Sequence, residues 1–506
     1  MEYKLSVIIL MDKTDTKIVE TIQSISPYEI FIVSKNNEIP LLAQTYNCKP
    51  ILVEAGERNE GYIRALKKAS GNYFLCLSGG IHYNSSQLTE FLQLIKEGSA
   101  QVVLNNLTPS FMKRRLTQWP DTYTLWRQVF NDALGHKQLN INSLLSTPHA
   151  FTIEVAETIG YESFENLAVA QMRILEHGFK VKEHLSIPSN FQGDFFTPEQ
   201  SRFHVPLTED ERNHMEKFYE ALWEWHKVHG LRGNYHDGGR RRDLIYKLKN
   251  GVPLSDFATI HEGSGTTSNY YQGKQVSVII PAQNEENTIE AVINEAKKLQ
   301  PLEIIVVING STDKTEEIAK RLGATVITIQ DALGHDVGRS VGAYLAKGDI
   351  LLFIDADFPI LADHLYRFCQ AVANGIDIAL NNLNIDHFPL YIVNLYKYLQ
   401  NIACNRKELG VGSLVGIPHA ISRTCIDGIG RDSLMNPNVA QVKAILKGFK
   451  IENVHFVDVM RPNRIRPDQH FAANGHPKAV LRINGDHLEA LIYLLEQRGY
   501  GRKEKE

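Results

Sequence analysis

The chain has 506 residues, 43% of them hydrophobic and 22% charged, with a formal net charge of -4. That composition excludes a disordered, collagenous or disulfide-stapled chain, and a near-neutral balance offers no cationic face for nucleic acid. At roughly 100 to 200 residues per domain, the length predicts two to four domains. The five cysteines are odd in number and widely spaced, which fits neither a zinc ribbon nor a disulfide framework and favours a reduced, cytoplasmic setting. No run reaches the roughly 18 apolar residues of a membrane span. The amino terminus lacks the long apolar core and cleavage site of a signal peptide, so neither export nor an integral membrane segment is expected.

The first apolar run, Ser6-Val7-Ile8-Ile9, recurs as Ser277-Val278-Ile279-Ile280. In chain order the repeats continue. Pro27-Tyr28-Glu29-Ile30 matches Pro301-Leu302-Glu303-Ile304, and the run from Gly71 to Leu77 matches Gly348 to Ile354. Asn105-Asn106-Leu107 matches Asn381-Asn382-Leu383, Pro148-His149-Ala150 matches Pro418-His419-Ala420, and Gly178-Phe179-Lys180 matches Gly448-Phe449-Lys450. All these pairs lie 270 to 277 positions apart, which is the signature of an internal duplication. A helical tail at 213–230 parallels 486–500. Between the copies, residues 234–274 hold Asp237-Gly238-Gly239, three arginines and a Gly/Ser/Thr run, and read as a linker. The predicted organisation is therefore residues 1–233, a linker over 234–274, and residues 275–506.

In the second copy, strands are predicted at 276–280, 303–308, 324–329 and 349–354, with helices near 289–299, 314–322 and 338–347. This alternation predicts an α/β fold with a mainly parallel sheet, which binds ligands at the carboxyl ends of its strands. Two short cationic runs, Lys113-Arg114-Arg115 and Arg240-Arg241-Arg242, read as solvated surface, with a phosphate or acidic-lipid contact as the alternative. The segment from Phe388 to Leu399 reads as core or interface packing, with an acceptor-covering or membrane-touching helix as the alternative.

The chemistry concentrates at Asp355-Ala356-Asp357, directly after an apolar strand. In an extended segment positions i and i+2 share a face, so both carboxylates converge on one hard divalent cation able to neutralise a diphosphate; taken alone, the pair also reads as a strand-end turn with two solvated acids. Three features precede it in order. Pro281 to Glu286 ends the first strand with a polar run suited to a nucleotide base. Asn309-Gly310-Ser311-Thr312-Asp313 ends the second strand at a helix start with free backbone N–H groups, and Gly334 to Ser340 supplies a loop carrying Arg339.

This series, PAQNEE, NGSTDKT, GRSVGAYLAKGD and LLFIDAD, resembles the family 2-like glycosyltransferases of the GT-A fold. The resemblance implies two tandem GT-A domains, a nucleotide-sugar donor, and Mg2+ or Mn2+ bound through Asp355 and Asp357. It also implies a nucleoside held near Asn284, Glu285 and Asp313, with Pro281, Asn309, Gly310, Ser311, Gly338 and Ala356 around the donor and Arg339 near its phosphates. The acceptor half departs from the inverting pattern: where a Glu-Asp pair is expected, the chain reads Asn436-Pro437-Asn438. Asn438 to Gln441 and Arg461 to Pro467 are similar to retaining enzymes of the glucosyl-3-phosphoglycerate synthase kind, although Asn463 stands where those carry a metal-binding histidine. His455 is the substitute metal ligand considered. His419, Arg461 and Arg464 are acceptor-site candidates, for a sugar, lipid-linked or small acidic acceptor, with a structural histidine and solvated cations as the alternatives.

In the first copy the aspartate positions read Ser78-Gly79-Gly80, which predicts a catalytically silent domain that stabilises the active one or helps bind an acceptor chain. The expected function is a metal-dependent glycosyltransferase acting through the second copy. A sugar nucleotidylyltransferase and a non-catalytic nucleotide-sugar-binding regulator stand as alternatives, the former lacking its glycine-rich loop at Pro281-Ala282-Gln283-Asn284.

Overall fold

The computed structural model describes residues 3–54, 56–115, 119–187, 205–264, 271–383, 390–462 and 466–501. The chain forms two compact units, the first built largely on residues up to Val228 and the second largely on those from His229 onward.

The first unit holds β1 (Leu5–Leu10), β2 (Glu29–Ser34), β3 (Lys49–Leu52), β4 (Tyr73–Ser78), β5 (Val102–Asn105), β6 (His149–Thr152) and β7 (Val181–His184). They form one sheet in the order β3-β2-β1-β4-β6-β5-β7, parallel except at β6. The second unit holds β8 (Thr259–His261), β9 (Val276–Ala282), β10 (Glu303–Asn309), β11 (Thr325–Ile329), β12 (Ile350–Phe353), β13 (Ile378–Asn381), β14 (His419–Ser422) and β15 (Ile451–His455). Its order is β15-β13-β14-β12-β9-β10-β11-β8. Read from the other edge, this is the first unit's order with β8 added antiparallel to β11. Both units are thus α/β with a mostly parallel sheet.

The strands form where apolar, β-branched residues run without interruption. VSVIIPA in β9 and EIIVVIN in β10 are buried on both faces, as a helix-covered parallel sheet requires. Two apolar layers result, one around Val278, Ile280 and Leu352 and the other around Ile279, Val307 and Phe353. Alternate residues of the same strands feed opposite layers.

Residues 234–264, whose composition reads as a linker, are built into the second unit. The helix Arg242–Lys249 buries Leu244, Ile245 and Leu248 in the layer that contains Ile279 and Val341, and β8 extends the sheet. The apolar spacing of that helix is short, and the surrounding arginines and glycines mask it. The helix Ile392–Ala403 overlaps the aromatic stripe's segment, of which Phe388 and Pro389 lie outside the described residues, and its Leu395, Tyr396 and Leu399 are fully buried, as packing predicts. No helix among the described residues is long and apolar enough to cross a membrane.

One device recurs in both units. The parallel register of β1 with β2 sets Ser6 against Glu29, and that of β9 with β10 sets Ser277 against Glu303. In each pair the serine hydroxyl donates to the glutamate at 2.6 Å and accepts from a glycine N–H, Gly71 at 3.1 Å and Gly348 at 2.8 Å. A Cβ on Gly348 would lie 2.7 Å from the Ser277 nitrogen, and one on Gly71 would lie 2.7 Å from the Lys4 carbonyl oxygen. Both clashes involve backbone, so Gly71→Ala and Gly348→Ala are each expected to cost about 2 kcal/mol or more, read as a lower midpoint in urea unfolding.

Candidate functional site

Beyond the carboxyl ends of β9, β10 and β12, the second unit opens into a cavity of about 590 Å³. Pro281 and Glu285 reach it from β9 and its loop, Asn309 from the end of β10, and Asp355, Ala356 and Asp357 from the turn after β12. Gly338 and Arg339 enter from the helix Val337–Leu345, and Arg466 from the carboxyl-terminal part of the chain.

Asp357 Oδ1 is buried with no hydrogen-bond partner among the described residues. Burial first, and then the neighbouring Asp355 carboxylate, pushes the Asp357 carboxyl up to about 6, against the pull of Arg466. Asp355 accepts from Arg339 Nη2 at 3.3 Å. Two carboxylates that repel each other, one with an orphaned oxygen, form a donor set that a hard divalent cation satisfies. No cluster of three or more His, Cys, Asp or Glu side chains poised for a metal occurs among the described residues.

Arg339 is buried and held on three sides. Its Nη1 donates to the Leu414 carbonyl at 3.2 Å and lies 3.3 Å from Asp336 Oδ1, while Nη2 faces Asp355. Asp336 bridges onward to Arg240 Nη2 at 2.9 Å. Burial alone would raise the Asp336 carboxyl, yet Arg339 and Arg240 together hold it well below the usual carboxylate range. Arg240, read from sequence as solvated, has a side chain 0% exposed. Besides Asp336 it contacts Asp237 at 2.8 Å and both oxygens of Asp486, at 2.6 and 2.8 Å. The reading failed because the carboxylates that neutralise it lie up to 246 positions away. In the other cationic run, Lys113 is exposed, and the side chains of Arg114 and Arg115 lie outside the described residues.

Four donor-site candidates are not among the residues lining the cavity. Asn284, Gly310, Ser311 and Asp313 belong to two loops clasped to each other: Asn284 Oδ1 accepts from Thr312 N at 2.8 Å, Ser311 Oγ from Asn284 N at 3.0 Å, and Asp313 Oδ2 from Glu286 N at 3.0 Å. Gly310, at φ 63°, is required because a Cβ there would lie 2.9 Å from the Ala332 nitrogen.

The acceptor and extra metal candidates also lie elsewhere. His419 is buried beside Phe353, its Nδ1 2.9 Å from the Gly416 carbonyl oxygen, and burial lowers its pKa to about 3. That is the structural histidine considered from sequence. His455 pairs with His364, Nε2 to Nδ1 at 2.8 Å, rather than joining Asp355 and Asp357. Arg461, with a side chain 89% exposed, pairs with Asp458, and Arg464 and Asn463 lie outside the described residues. Asn436, where a base was sought, caps the helix Pro437–Leu446.

Sequence reasoning missed Asp336, Arg240, Lys478 and Arg482 as cavity or network residues. A signal existed in the helix Lys478–Gln497, where Arg482, Asp486 and Glu489 share the otherwise apolar face at helical spacing.

Residues 277–385 match glycosyl transferase family 2. The stretch runs from β9 to just beyond β13. Among curated relatives, glucosyl-3-phosphoglycerate synthase of Mycobacterium tuberculosis is 41% identical over 100 residues, 17% of this chain and 29% of the relative. A 4,4'-diaponeurosporenoate glycosyltransferase of Staphylococcus aureus is 36% identical over 107 residues, 20% of this chain and 28% of the relative. The chain therefore spans less than a third of the length of these two relatives. Among solved structures, the M. tuberculosis glucosyl-3-phosphoglycerate synthase with uridine diphosphate is 26% identical, with a TM-score of 0.31 over 38% of this chain and 74% of that one. The same enzyme with Mn2+, uridine diphosphate and glucosyl-3-phosphoglycerate is 24% identical, with a TM-score of 0.32 over 45% of this chain and 80% of that one.

Two outcomes are expected. The raised Asp357 pKa means that the fold favours its protonated form, a contribution fully present below the ordinary value of 3.8 and lost as pH rises through about 6. Asp357→Asn should accordingly raise the melting temperature of the metal-free protein by about 1–3 °C near pH 7.5 and leave it unchanged near pH 4. Arg240→Met removes the cation shared by Asp336 and Asp486, and should cost about 3–5 kcal/mol by denaturant unfolding.

Proposed function

We propose that the second unit is a metal-dependent glycosyltransferase that uses a nucleotide-sugar donor. The observation that carries this reading is the Asp355–Asp357 pair, with its orphaned buried oxygen, at the carboxyl ends of a family-matched parallel sheet. On this reading Asp355 and Asp357 would hold Mg2+ or Mn2+. When bound, the cation supplies Lewis-acid neutralisation of the departing nucleotide diphosphate.

The chain's own residues then have distinct tasks. Arg339, fixed by the Leu414 carbonyl and Asp336, orients Asp355 and places a second positive charge beside the phosphates. Pro281, Glu285 and Asn309 form the wall against which the nucleoside lies, and Ala356 leaves room beside the two carboxylates. Gly338 lets the helix Val337–Leu345 approach Pro281, since a Cβ there would lie 3.0 Å from the Pro281 ring. The Glu285–Arg466 ion pair, at 2.9 Å, joins the nucleotide wall to the carboxyl-terminal segment. The acceptor enters the rest of the cavity, and its hydroxyl is brought against the anomeric carbon by binding rather than by a diffusive encounter.

On this reading the first unit is the silent copy, and the second, which takes in the segment 234–264, carries the reaction. In the first unit Gly79 packs against Met11 where the second presents Asp355–Asp357, so that position holds no carboxylate.

Thermal-shift screening of UDP-, GDP-, ADP- and TDP-sugars, with and without Mn2+, tests the proposal. One donor should raise the melting temperature only with metal, by the equivalent of about 2.7 kcal/mol at a hundredfold excess over its dissociation constant. Asp355→Ala/Asp357→Ala should abolish that shift, and substitutions from Ser78 to Gly80 should not. Full transferase activity in the double variant would sink the assignment.

A further inference from the structure

Four cationic side chains border the cavity: Arg339, Arg466, Lys478 and Arg482. Two are already neutralised, Arg339 by Asp336 and Asp355 and Arg466 by Glu285. Arg482 is different. Its residue is only 8% exposed, and its guanidinium has no hydrogen-bond or ion-pair partner among the described residues.

The carboxylates of its neighbourhood are committed elsewhere. Asp486 receives both Arg240 Nη atoms and Arg232 Nη1, and Asp336 is shared by Arg240 and Arg339. Burial lowers the Arg482 pKa; Asp336 and Asp486 oppose this from a distance, and Arg240 and Arg232 reinforce it. His335 also borders the cavity and is exposed, so it supplies no buried counter-charge. Lys478 lies one turn earlier on the same helix, and its ammonium likewise has no partner among the described residues. Space has been left for the arginine: Gly238, at φ 65°, would place a Cβ 2.6 Å from Arg482 Cδ.

Desolvating a guanidinium without a counter-charge costs several kcal/mol. A buried cation that faces a cavity, beside a second unpaired cation, therefore lacks an anion that the protein does not supply. Arg482 and Lys478 reach the cavity from the helix Lys478–Gln497, a different element from the turn after β12 that carries Asp355 and Asp357.

We propose that Arg482 and Lys478 form an oxyanion subsite that receives a phosphate or carboxylate group of the acceptor. The word acceptor rests on the glycosyltransferase reading above; the anion site itself does not. The subsite replaces Arg461 and Arg464 as the place where an acidic acceptor is recognised.

Calorimetric titration of the full-length protein with inorganic phosphate, and separately with UDP plus Mn2+, tests this. Arg482→Gln should weaken phosphate binding about tenfold or more, the loss of one charge-assisted hydrogen-bonding partner. Lys478→Gln should weaken it by about threefold, and Arg482→Lys should restore part of the loss, with UDP affinity within about twofold throughout. Unchanged phosphate affinity in both glutamine variants would overturn the proposal, as would a parallel loss of UDP affinity, which puts these cations on the donor. If Arg482→Gln does not fold, the exposed Lys478→Gln decides by the same two titrations. If none of UDP, GDP, ADP and TDP binds the wild type with Mn2+ while the phosphate losses occur, the anion site stands and the glycosyltransferase reading falls.

Discussion

Asp336 is a half-buried carboxylate, its side chain 17% exposed, shared between two buried arginines, and it lines the second unit's cavity. A lone carboxylate in that position would be neutral or excluded from the interior. With Arg339 and Arg240 on either side it stays ionised, and each arginine gains a charge partner that it could not forgo. The arrangement fixes backbone as well as charge. Asp336 sits at φ 63° just before the helix Val337–Leu345, and Gly334 admits the 239–240 backbone to within 2.6 Å of where its Cβ would be. Arg339 then has one orientation, toward Leu414 and Asp355. Arg240 extends the alternation to Asp237 and Asp486, so that segments nearly 250 residues apart in sequence are held by one network.

The first unit shows what the fold requires without that network. Gly61 corresponds to Gly338 and Gly71 to Gly348, so Tyr62 occupies the position of Arg339. The Tyr62 hydroxyl meets Cys76 and His149, a neutral cluster that has no use for a buried aspartate. The supporting framework is nevertheless duplicated bond for bond. Asn105 donates to the carbonyls of Thr147 and Ile187, as Asn381 does to those of Ile417 and Val457. Asn131 spans Asn140 and Asn142, as Asn401 spans Gly410 and Gly412. Gln171 and Gln441 accept from Leu144 and Leu414 in the same way. Because buried polar groups must be satisfied wherever the backbone follows this path, those asparagines and glutamines belong to the fold. The charged residues at the strand ends belong to the site.

This division explains what could be read from the sequence. Strands β9, β10 and β12 announce themselves as unbroken apolar runs, and Asp355 and Asp357 stand out because two acids directly follow one. Glu285, Asn309 and Arg339, which line the cavity, stand out for a similar reason, since each lies at the end of a recognisable strand, in the turn after it or at a helix start. Asn284 and Asp313 illustrate the limit: polar residues in such turns also serve to close them, and only the observed bonds to Thr312 and Glu286 show which use they have. Arg240 and Arg482 were illegible for another reason. Their character depends on Asp336 and Asp486, partners remote in sequence, and a run of three arginines beside two glycines has the composition of an exposed loop. The helix Arg242–Lys249 and β8 were lost in the same segment.

The cavity carries two defects of opposite sign, and this bears on what it is built to receive. Asp357 has a buried oxygen without a donor, and Arg482, mostly buried, turns to the cavity a guanidinium with no acceptor among the described residues. Side chains free to move would cancel these charges by pairing, but they are not in contact. Asp357 is fixed by the end of β12, and Arg482 by a helix whose neighbouring Asp486 is locked to Arg240 and Arg232. Rigid separation of unlike charges costs stability in the empty protein and is recovered only when something bridges the space between them. A ligand that brings a cation to one end and an anion to the other satisfies both, whereas a neutral sugar alone satisfies neither. On the readings proposed above, that charge pattern suits a metal-bound phosphate donor beside an acidic acceptor.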